Sequence, residues 1–351
     1  MTCRQNGSSV GEAGSGGVRY RWRPLRAGRL LLDGGSMFGV VPRVVWTRAI
    51  EPDERNRIAL AHNCLLLERA DEEAGAPSGG GESARALGPE RILIETGTGD
   101  KLDPKMSEIF GLEDRTVETA VREAGLDPRQ IDAVVVSHLH FDHAGGLTRR
   151  CRAGEEPDWI APDNAKPIAH DRVKVTFPNA AVHVQRREWQ DATANDAVMT
   201  RTYYRDHLDP IESRLVLADS PDPFPRGSVP HRDALPAGSF ADRRTQILPG
   251  VFVFLVPGHT WGQQAVLFTD PAGRTVVFTP DVMPSVHHVG SAYSLAYDVE
   301  PYTTMLTKHW FLEQAVEDDW LLVLDHEPDQ PCQRVVRSDR GWYRLEVAEG
   351  V

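Results

Sequence analysis

The most informative stretch of this chain is residues 137–146, Ser137-His138-Leu139-His140-Phe141-Asp142-His143-Ala144-Gly145-Gly146. It follows Val134-Val135-Val136, part of a β-branched run that is typical of a buried strand. Three histidines and an aspartate on a loop that leaves a strand can converge on a small volume, because a loop does not impose the spacing of a helix. The glycines behind them let the backbone turn sharply. The stretch therefore predicts a metal site at the end of this strand.

The same run, His138-Leu139-His140-Phe141-Asp142-His143, resembles the H-x-H-x-D-H signature of the metallo-β-lactamase superfamily. Three later segments resemble its other elements: Val256-Pro257-Gly258-His259-Thr260, Thr279-Pro280-Asp281 and Asp325-His326-Glu327-Pro328. Their order and spacing match the lactonase-like branch, which includes the quorum-quenching acyl-homoserine lactonases, although the gap before His259 is longer. The resemblance extends from about Arg29 to His326 and implies an α+β fold, the αββα sandwich, with surface insertions.

The resemblance also implies two metal ions and their ligands. One ion takes His138, His140 and His259, the other takes Asp142, His143 and His326, and Asp281 bridges both. A set of imidazoles and carboxylates without cysteine suits zinc, with manganese, cobalt or iron as alternatives. In such a site a metal-bridging hydroxide, available at neutral pH, attacks the electrophilic centre. Asp142 would orient the hydroxide and pass a proton to the leaving group.

Lactone or ester hydrolysis is the reaction that the lactonase-like resemblance predicts. Residues 32–39, Leu32-Asp33-Gly34-Gly35-Ser36-Met37-Phe38-Gly39, resemble the loop by which such enzymes place apolar side chains over the metals. Met37 and Phe38 would then line an acyl pocket. Because apolar residues near a Gly-Gly turn are common, an ordinary packing role for both stays open.

Two positions depart from the family pattern. Acyl-homoserine lactonases carry a tyrosine three positions after the bridging aspartate, where its hydroxyl touches the substrate carbonyl, but this position is Pro284 here. We expect His288 to replace it as the substrate-facing donor, with His287 and Tyr297 as alternatives. Glu95 stands where the superfamily usually has aspartate. Its longer side chain would change the position of the carboxylate that orients the metal ligands, unless Asp100 takes over that role.

Other reactions remain open on the sequence alone. A dimetal site also supports phosphotriester or phosphodiester hydrolysis of the organophosphorus-hydrolase type, glyoxalase II-like thioester hydrolysis or β-lactam cleavage. A metal-binding scaffold without turnover is the non-enzymatic alternative, and the seven filled ligand positions argue against it.

Charge and composition restrict the partners. The formal net charge of −12 over 351 residues argues against nucleic acid or an anionic membrane and leaves a small-molecule substrate. No apolar run reaches the roughly 18 residues that a membrane span requires.

The four cysteines, Cys3, Cys64, Cys151 and Cys332, form no C-x-x-C pair, so we expect a reducing, cytoplasmic location. The oligomeric state stays open, with a homodimer as one option.

The chain divides into a Gly- and Ser-rich tail over residues 1–17, which we expect to be disordered, and one catalytic domain over residues 18–351. Inserted loops are expected near residues 70–88, 150–172 and 219–244, and we expect the last two to border the metal cleft. The apolar spacing predicts helices over residues 107–125, 188–195 and 301–317. It predicts further strands over residues 181–185, 251–256, 264–268, 275–278 and 321–324.

Overall fold

The computed structural model describes residues 17–70, 88–194, 202–224 and 238–350. The strands there are β1 (Tyr20–Asp33), β2 (Arg57–Arg69), β3 (Arg91–Ile94), β4 (Ala133–Val135), β5 (Thr148–Arg150), β6 (Trp159–Ile160), β7 (Arg172–Val175), β8 (Ala181–Gln185), β9 (Leu215–Ala218), β10 (Thr245–Leu248), β11 (Val251–Leu255), β12 (Gln264–Thr269), β13 (Thr275–Thr279), β14 (Leu321–Leu324), β15 (Cys332–Arg337) and β16 (Tyr343–Val347). The α-helices are α1 (Gly34–Phe38), α2 (Arg43–Trp46), α3 (Pro104–Ile109), α4 (Val117–Glu123), α5 (Phe141–Ala144), α6 (Arg186–Ala194), α7 (Arg205–Leu208) and α8 (Pro301–Glu317).

Two large sheets form the frame of the molecule. The first has the order β1-β2-β3-β4-β8-β9, and the second has the order β10-β11-β12-β13-β14-β15-β16. The pairs β3-β4, β4-β8 and β8-β9 are parallel, and so is the central pair β13-β14 of the second sheet. The carboxyl ends of β4, β13 and β14 are the points from which most of the sequence-predicted metal ligands leave.

The apolar core lies between and outside these sheets in layers. Inward-facing side chains of the first sheet, such as Leu65 and Ile94, pack against Val266 and Phe278 of the second. Alternate side chains point the other way, because successive residues of a strand face opposite sides. Leu66 thus joins an outer cluster with α4, and Val277 joins another with α8. Helices therefore cover both outer faces, and the predicted αββα sandwich is confirmed.

The predicted strands between residues 181 and 324 and the helix over residues 301–317 are confirmed by β8, β11, β12, β13, β14 and α8. The predicted helix over residues 107–125 is wrong as one element, since α3 and α4 are separated. Gly111, with φ +51, turns the chain after α3, where an added Cβ would lie 2.7 Å from Leu31. Gly125 follows the end of α4 with φ +85, as its capping role predicts.

The segment expected as an inserted loop over residues 150–172 contains β6 and joins β5 and β7 in a separate three-stranded sheet. Apart from β6 and the end residues that belong to β5 and β7, the segment has no regular secondary structure, and its assignment as an insertion stays a prediction. The tail over residues 1–17 and the loop near 70–88 fall, apart from their end residues, outside the described part of the chain. Among the described helices, none is long and apolar enough to cross a membrane.

Candidate metal centre

The sequence-predicted ligands lie at strand ends along one edge of the sandwich. His138 and His140 follow β4, and Asp142 and His143 lie in the short helix α5 that comes next. The turn behind them packs directly on the loop after β3, where a Cβ on Gly145 would lie 2.1 Å from the Thr98 carbonyl oxygen. Only glycine fits this approach, which explains the glycines that close the motif.

Two groups of ligand atoms come together at this edge. His138, His140 and His259 form the first cluster, and His143, Asp281, Asp325 and His326 form the second cluster. Within each cluster the ligand atoms lie within 4.8 Å of one another, and all seven residues are buried. Asp142 lies at the border of the second cluster, with Oδ2 3.8 Å from His326 Nε2.

Asp281 belongs to the second cluster and also reaches the first. Its Oδ2 is 3.1 Å from His259 Nε2 and 4.0 Å from His138 Nε2, both in the first cluster. Its Oδ1 is 3.2 Å from His326 Nε2 in the second cluster. Oδ2 also lies 3.6 Å from His143 Nε2 of the second cluster, so the carboxylate reaches ligand atoms of both clusters, as a bridging carboxylate must.

The histidine rings are held from behind through their other nitrogen. His259 Nδ1 lies 2.9 Å from Asp298 Oδ1, and His326 Nδ1 lies 2.8 Å from the Ala61 carbonyl oxygen. His138 Nδ1 lies 3.0 Å from Ser137 Oγ. Such contacts fix the ring orientation and leave Nε2 pointing into the cluster, as is usual for histidines that bind metals.

His143 is held by two carboxylates. Its Nδ1 lies 3.0 Å from Asp325 Oδ2 and 3.4 Å from Glu95 Oε2. Burial alone would lower the pKa of His143, but Asp325, Asp142 and Glu95 raise it well above its ordinary value. The longer side chain of Glu95 still reaches the motif, because its Oε1 accepts a hydrogen bond from the Ser137 N–H at 2.6 Å. Asp100 instead accepts from the Arg150 N–H, so it does not compensate there.

The chemistry of these residues fits divalent cations. The Nε2 atoms of His138, His143 and His326 and Oδ1 of Asp281 are buried without a hydrogen-bond partner among the described residues. His140 turns its Nδ1 into the first cluster, 3.0 Å from His259 Nε2. Burial and the neighbouring histidines lower the pKa of His138 and His140 well below the ordinary value, so both rings are neutral, the form that binds metals. Buried polar atoms without partners are unfavourable, and metal coordination would satisfy them.

A cavity of about 770 Å³ opens onto both clusters. Its lining residues are Leu32, Met37, Phe110, His140, Phe141, Asp142, Asp191, Ala194, Thr202, Tyr203, His259, Trp261, Asp281, Leu295, Ala296, Tyr297, Asp298, Val299 and His326. About half of these are apolar or aromatic, and those described include no lysine or arginine. The arrangement suits an uncharged molecule with an apolar portion.

Tyr297 is the sequence-predicted donor that the structure places in this cavity. The residue is 43% exposed and lines the cavity, as Met37 does. Burial raises the pKa of Tyr297, a hydrogen bond with Ser36 lowers it, and Asp142 raises it further. The net result is a raised pKa, so the phenol keeps its proton at neutral pH and can donate a hydrogen bond.

Comparison with known proteins agrees with this arrangement. Residues 88–326 match the profile of the metallo-β-lactamase superfamily. The chain belongs to this superfamily. An N-acyl homoserine lactonase of Bacillus cereus is 24% identical over 255 residues, which cover 73% of this chain and 72% of the lactonase.

Solved structures share the metallo-β-lactamase fold. A "probable metal-dependent hydrolase" from Staphylococcus aureus superposes with a TM-score of 0.69 at 22% identity, covering 95% of this chain and 99% of that protein. AidC, a dizinc quorum-quenching lactonase in complex with a product, superposes with a TM-score of 0.61 at 16% identity and the same coverage. These similarities and the ligand clusters identify the chain as a metal-dependent hydrolase of the metallo-β-lactamase superfamily.

His288 lies elsewhere in this metal-dependent hydrolase than we expected. Its ring is fully buried, with Nε2 2.8 Å from the Met37 carbonyl oxygen and Nδ1 2.8 Å from Ser285 Oγ. Both ring nitrogens are thus engaged, and the geometry does not support His288 as a substrate-facing donor. Pro284 has a structural role as well, since its carbonyl oxygen accepts from the His326 N–H at 3.0 Å.

Met37 and Phe38 are adjacent in the chain, but only one of them lines the cavity. Met37 lines the cavity, as expected. Phe38 is fully buried, with its ring stacked between Trp46 at 5.2 Å and His288 at 4.8 Å. The expectation that Phe38 lines an acyl pocket is therefore corrected: it supports the cavity wall from behind.

The inserted segments do not border the cavity where they are described. None of the described residues of segments 150–172 and 219–244 is among its lining residues. Phe240 packs on Phe254 and Trp320 of the second sheet's outer face instead. The expected cleft-bordering role is therefore not supported for the described part of either segment.

Several supporting residues were not predicted from the sequence. Asp325 behind His143 lies within the quoted motif of residues 325–328, and Asp298 behind His259 directly follows Tyr297, so a carboxylate next to a predicted site residue was the available signal. Tyr203, whose ring centroid lies 5.2 Å from that of His140, and Glu188 had no such signal. Their roles depend on contacts between segments that are distant in the chain.

Proposed function

We propose that this metal-dependent hydrolase opens lactones or cleaves esters with an apolar acyl portion. The observation that carries the proposal is the cavity, whose lining joins apolar side chains to residues of both ligand clusters and to Tyr297. The similarity to the Bacillus cereus lactonase supports it. So does the shared fold with AidC, whose structure holds N-hexanoyl-L-homoserine as a product.

In this proposal His138, His140 and His259 would hold the first ion, Asp142, His143 and His326 would hold the second, and Asp281 would contribute to both. Asp325 remains behind His143, because its Oδ2 meets the Nδ1 side of that ring. Two divalent cations, when bound, lower the pKa of water and polarise a carbonyl oxygen. The imidazole and carboxylate donors favour zinc, with manganese, cobalt or iron as alternatives.

Asp142 is the proposed proton carrier. It lines the cavity, and its carboxylate lies 3.8 Å from His326 Nε2 and 3.9 Å from His143 Nε2. From this position it can accept the proton of the attacking water and return it to the leaving oxygen when the ring or ester opens.

Tyr297 is the proposed oxyanion donor in place of the missing family tyrosine. Negative charge develops on the carbonyl oxygen during attack, and a positioned donor stabilises that charge. The phenol is a donor at neutral pH, and its side chain lines the cavity together with Asp142. Leu32, Met37 and Phe110 would hold the acyl portion and exclude water from it.

A neutral phosphotriester is the second candidate, because it needs no lysine or arginine in the cavity wall and the same site can attack phosphorus. Thioesters and β-lactams with carboxylate groups are less suited, since no described lining residue is a lysine or arginine that would pair with them.

The test is a substrate panel measured on protein reconstituted with zinc, manganese, cobalt or iron. It comprises lactones and aryl esters of increasing acyl length, phosphotriesters, thioesters and β-lactams. We expect the highest kcat/KM for a lactone or ester, rising with acyl length. A higher value for a phosphotriester would replace the proposal with the second candidate, and no turnover by metal-loaded protein would favour the scaffold.

A further inference from the structure

Glu188, in the first turn of α6, is a fully buried carboxylate that accepts three hydrogen bonds. The donors are the Leu139 N–H at 2.9 Å, the Thr260 hydroxyl at 2.6 Å and the Tyr203 hydroxyl at 3.2 Å. All three donors are neutral, and no ion pair joins Glu188 to a described cation. A buried carboxylate without an ion pair is unfavourable unless such donors satisfy it.

Two of these donors belong to the two segments that build the first cluster. Leu139 lies between the ligands His138 and His140, and Thr260 follows the ligand His259. The segments are distant in the chain and come from different sheets, because His138 follows β4 and His259 follows β11. Glu188 contacts both, with Oε1 on Leu139 and Oε2 on Thr260.

The backbone of α6 is fixed against the second of these segments. A Cβ on Gly262 would lie 2.3 Å from the Glu188 nitrogen, so the chain after His259 packs directly on the start of the helix. The Glu188 side chain therefore begins from a fixed point relative to His259. Its hydrogen bond to Leu139 then sets the position of the His138 and His140 backbone relative to His259.

We propose that Glu188 is a positioning residue that joins the two halves of the first cluster and thereby sets the affinity of one metal site. It touches neither ion. It acts through Leu139 and Thr260, and through Tyr203 it also holds the cavity wall beside His140. The second cluster has separate supports, Asp325 and Glu95 behind His143, so its affinity is independent of Glu188.

The variants are Thr260→Val, which removes one hydrogen bond, and Glu188→Gln, whose amide oxygen can still accept from Leu139. Glu188→Leu removes all three bonds. Each metal-free protein is titrated with zinc against a chromophoric chelator, and with cobalt(II) to follow the visible spectrum of each site. The melting temperature is measured with and without metal.

We expect Thr260→Val and Glu188→Leu to weaken one of two zinc sites by about tenfold to a hundredfold, the range for partners of metal ligands. The other site keeps its affinity, and Glu188→Gln retains more of the first site than Glu188→Leu does. Asp270→Asn is the control, because Asp270 is equally buried but binds Arg274 at the other end of β12 and β13. It should lower the melting temperature without changing either zinc affinity.

Wild-type affinity at both sites in Thr260→Val and Glu188→Gln would overturn the proposal, and so would equal weakening of both sites. If Glu188→Leu does not fold, the zinc affinities of Thr260→Val and Glu188→Gln test the proposal. The inference rests on the proposed ligand set but not on the substrate. Failure of the unaltered protein to bind two equivalents would refute that ligand set, whereas a failed substrate panel leaves the metal titration informative.

Discussion

Asp298 offers the clearest single test of how the metal centre is supported. Its Oδ1 lies 2.9 Å from His259 Nδ1, and its Oδ2 accepts the Leu295 N–H at 3.0 Å. The side chain is fully buried, and His259 is 2% exposed. Asp298→Ala therefore removes two hydrogen bonds that water cannot readily replace.

The magnitude follows from the His259 contact. A hydrogen bond to a charged group contributes about 1.5–3 kcal/mol, and a buried donor left without a partner costs about 1–3 kcal/mol. His259 would then no longer be held with Nε2 towards the first cluster. At about 1.4 kcal/mol for each factor of ten, one lost contact lowers the affinity of the first metal site by about tenfold to a hundredfold. Asp298→Asn, whose amide oxygen can still accept one hydrogen bond, should lose less.

The assay is zinc titration of the metal-free variant against a competing chelator, with metal content measured after gel filtration. We expect one of two equivalents to become weak in Asp298→Ala, with an intermediate affinity in Asp298→Asn. Asp270→Asn is again the matched control, as a buried aspartate remote from the site. Two equivalents bound by Asp298→Ala with wild-type affinity would refute the reasoning.

Four further outcomes are expected. Asp281→Ala should lose at least one metal equivalent and most turnover in elemental and kinetic analysis, because its oxygens face both clusters. Tyr297→Phe should lower kcat on the best lactone or ester by about a hundredfold, as loss of an oxyanion donor does, with metal content unchanged. His288→Phe should leave both metals bound but lower the stability by about 1–3 kcal/mol in urea unfolding, since the Met37 carbonyl oxygen and Ser285 hydroxyl lose a buried partner. Phe38→Ala should lower the free energy of unfolding by about 3–5 kcal/mol in the same experiment, because it leaves a buried cavity between Trp46 and His288.

Each of these has a result that would contradict it. Full metal content with full activity in Asp281→Ala would exclude the bridging role. An unchanged kcat in Tyr297→Phe would leave carbonyl polarisation to the metals alone. A specific loss of kcat in His288→Phe at wild-type stability would restore His288 to the mechanism. A Phe38→Ala protein of wild-type stability but altered acyl-length preference would return Phe38 to the acyl pocket.

The candidate metal ligands were accessible from the sequence because each lies in a short local motif. His138, His140, Asp142 and His143 lie within six positions, and His259 and Asp281 follow strands whose apolar patterns are clear. Short motifs at strand ends carry both the residue types and the backbone geometry that coordination needs. The strands themselves were predictable because burial on both faces leaves continuous apolar runs.

The proposed hydrogen-bond donor to the substrate carbonyl could not be chosen from the sequence in the same way. His288 and Tyr297 are both polar residues on the segment after Asp281, and their spacing does not say which one faces the cavity. The structure turns His288 inward against Met37 and leaves Tyr297 on the cavity wall. The difference depends on packing against residues 34–46, which lie far away in the chain.

The amino-acid sequence by itself determined the metal-binding motifs, which follow from local pattern and spacing, and the resemblance of these motifs to the metallo-β-lactamase superfamily predicted the αββα fold. Only the tertiary structure decided what holds those motifs together: Glu188 between Leu139 and Thr260, and Asp298 behind His259. These contacts join segments from 39 to 72 positions apart, whose proximity is set by the packing of sheets and helices. A buried carboxylate becomes a support only when folding brings its donors within hydrogen-bond distance, and no local pattern encodes that distance.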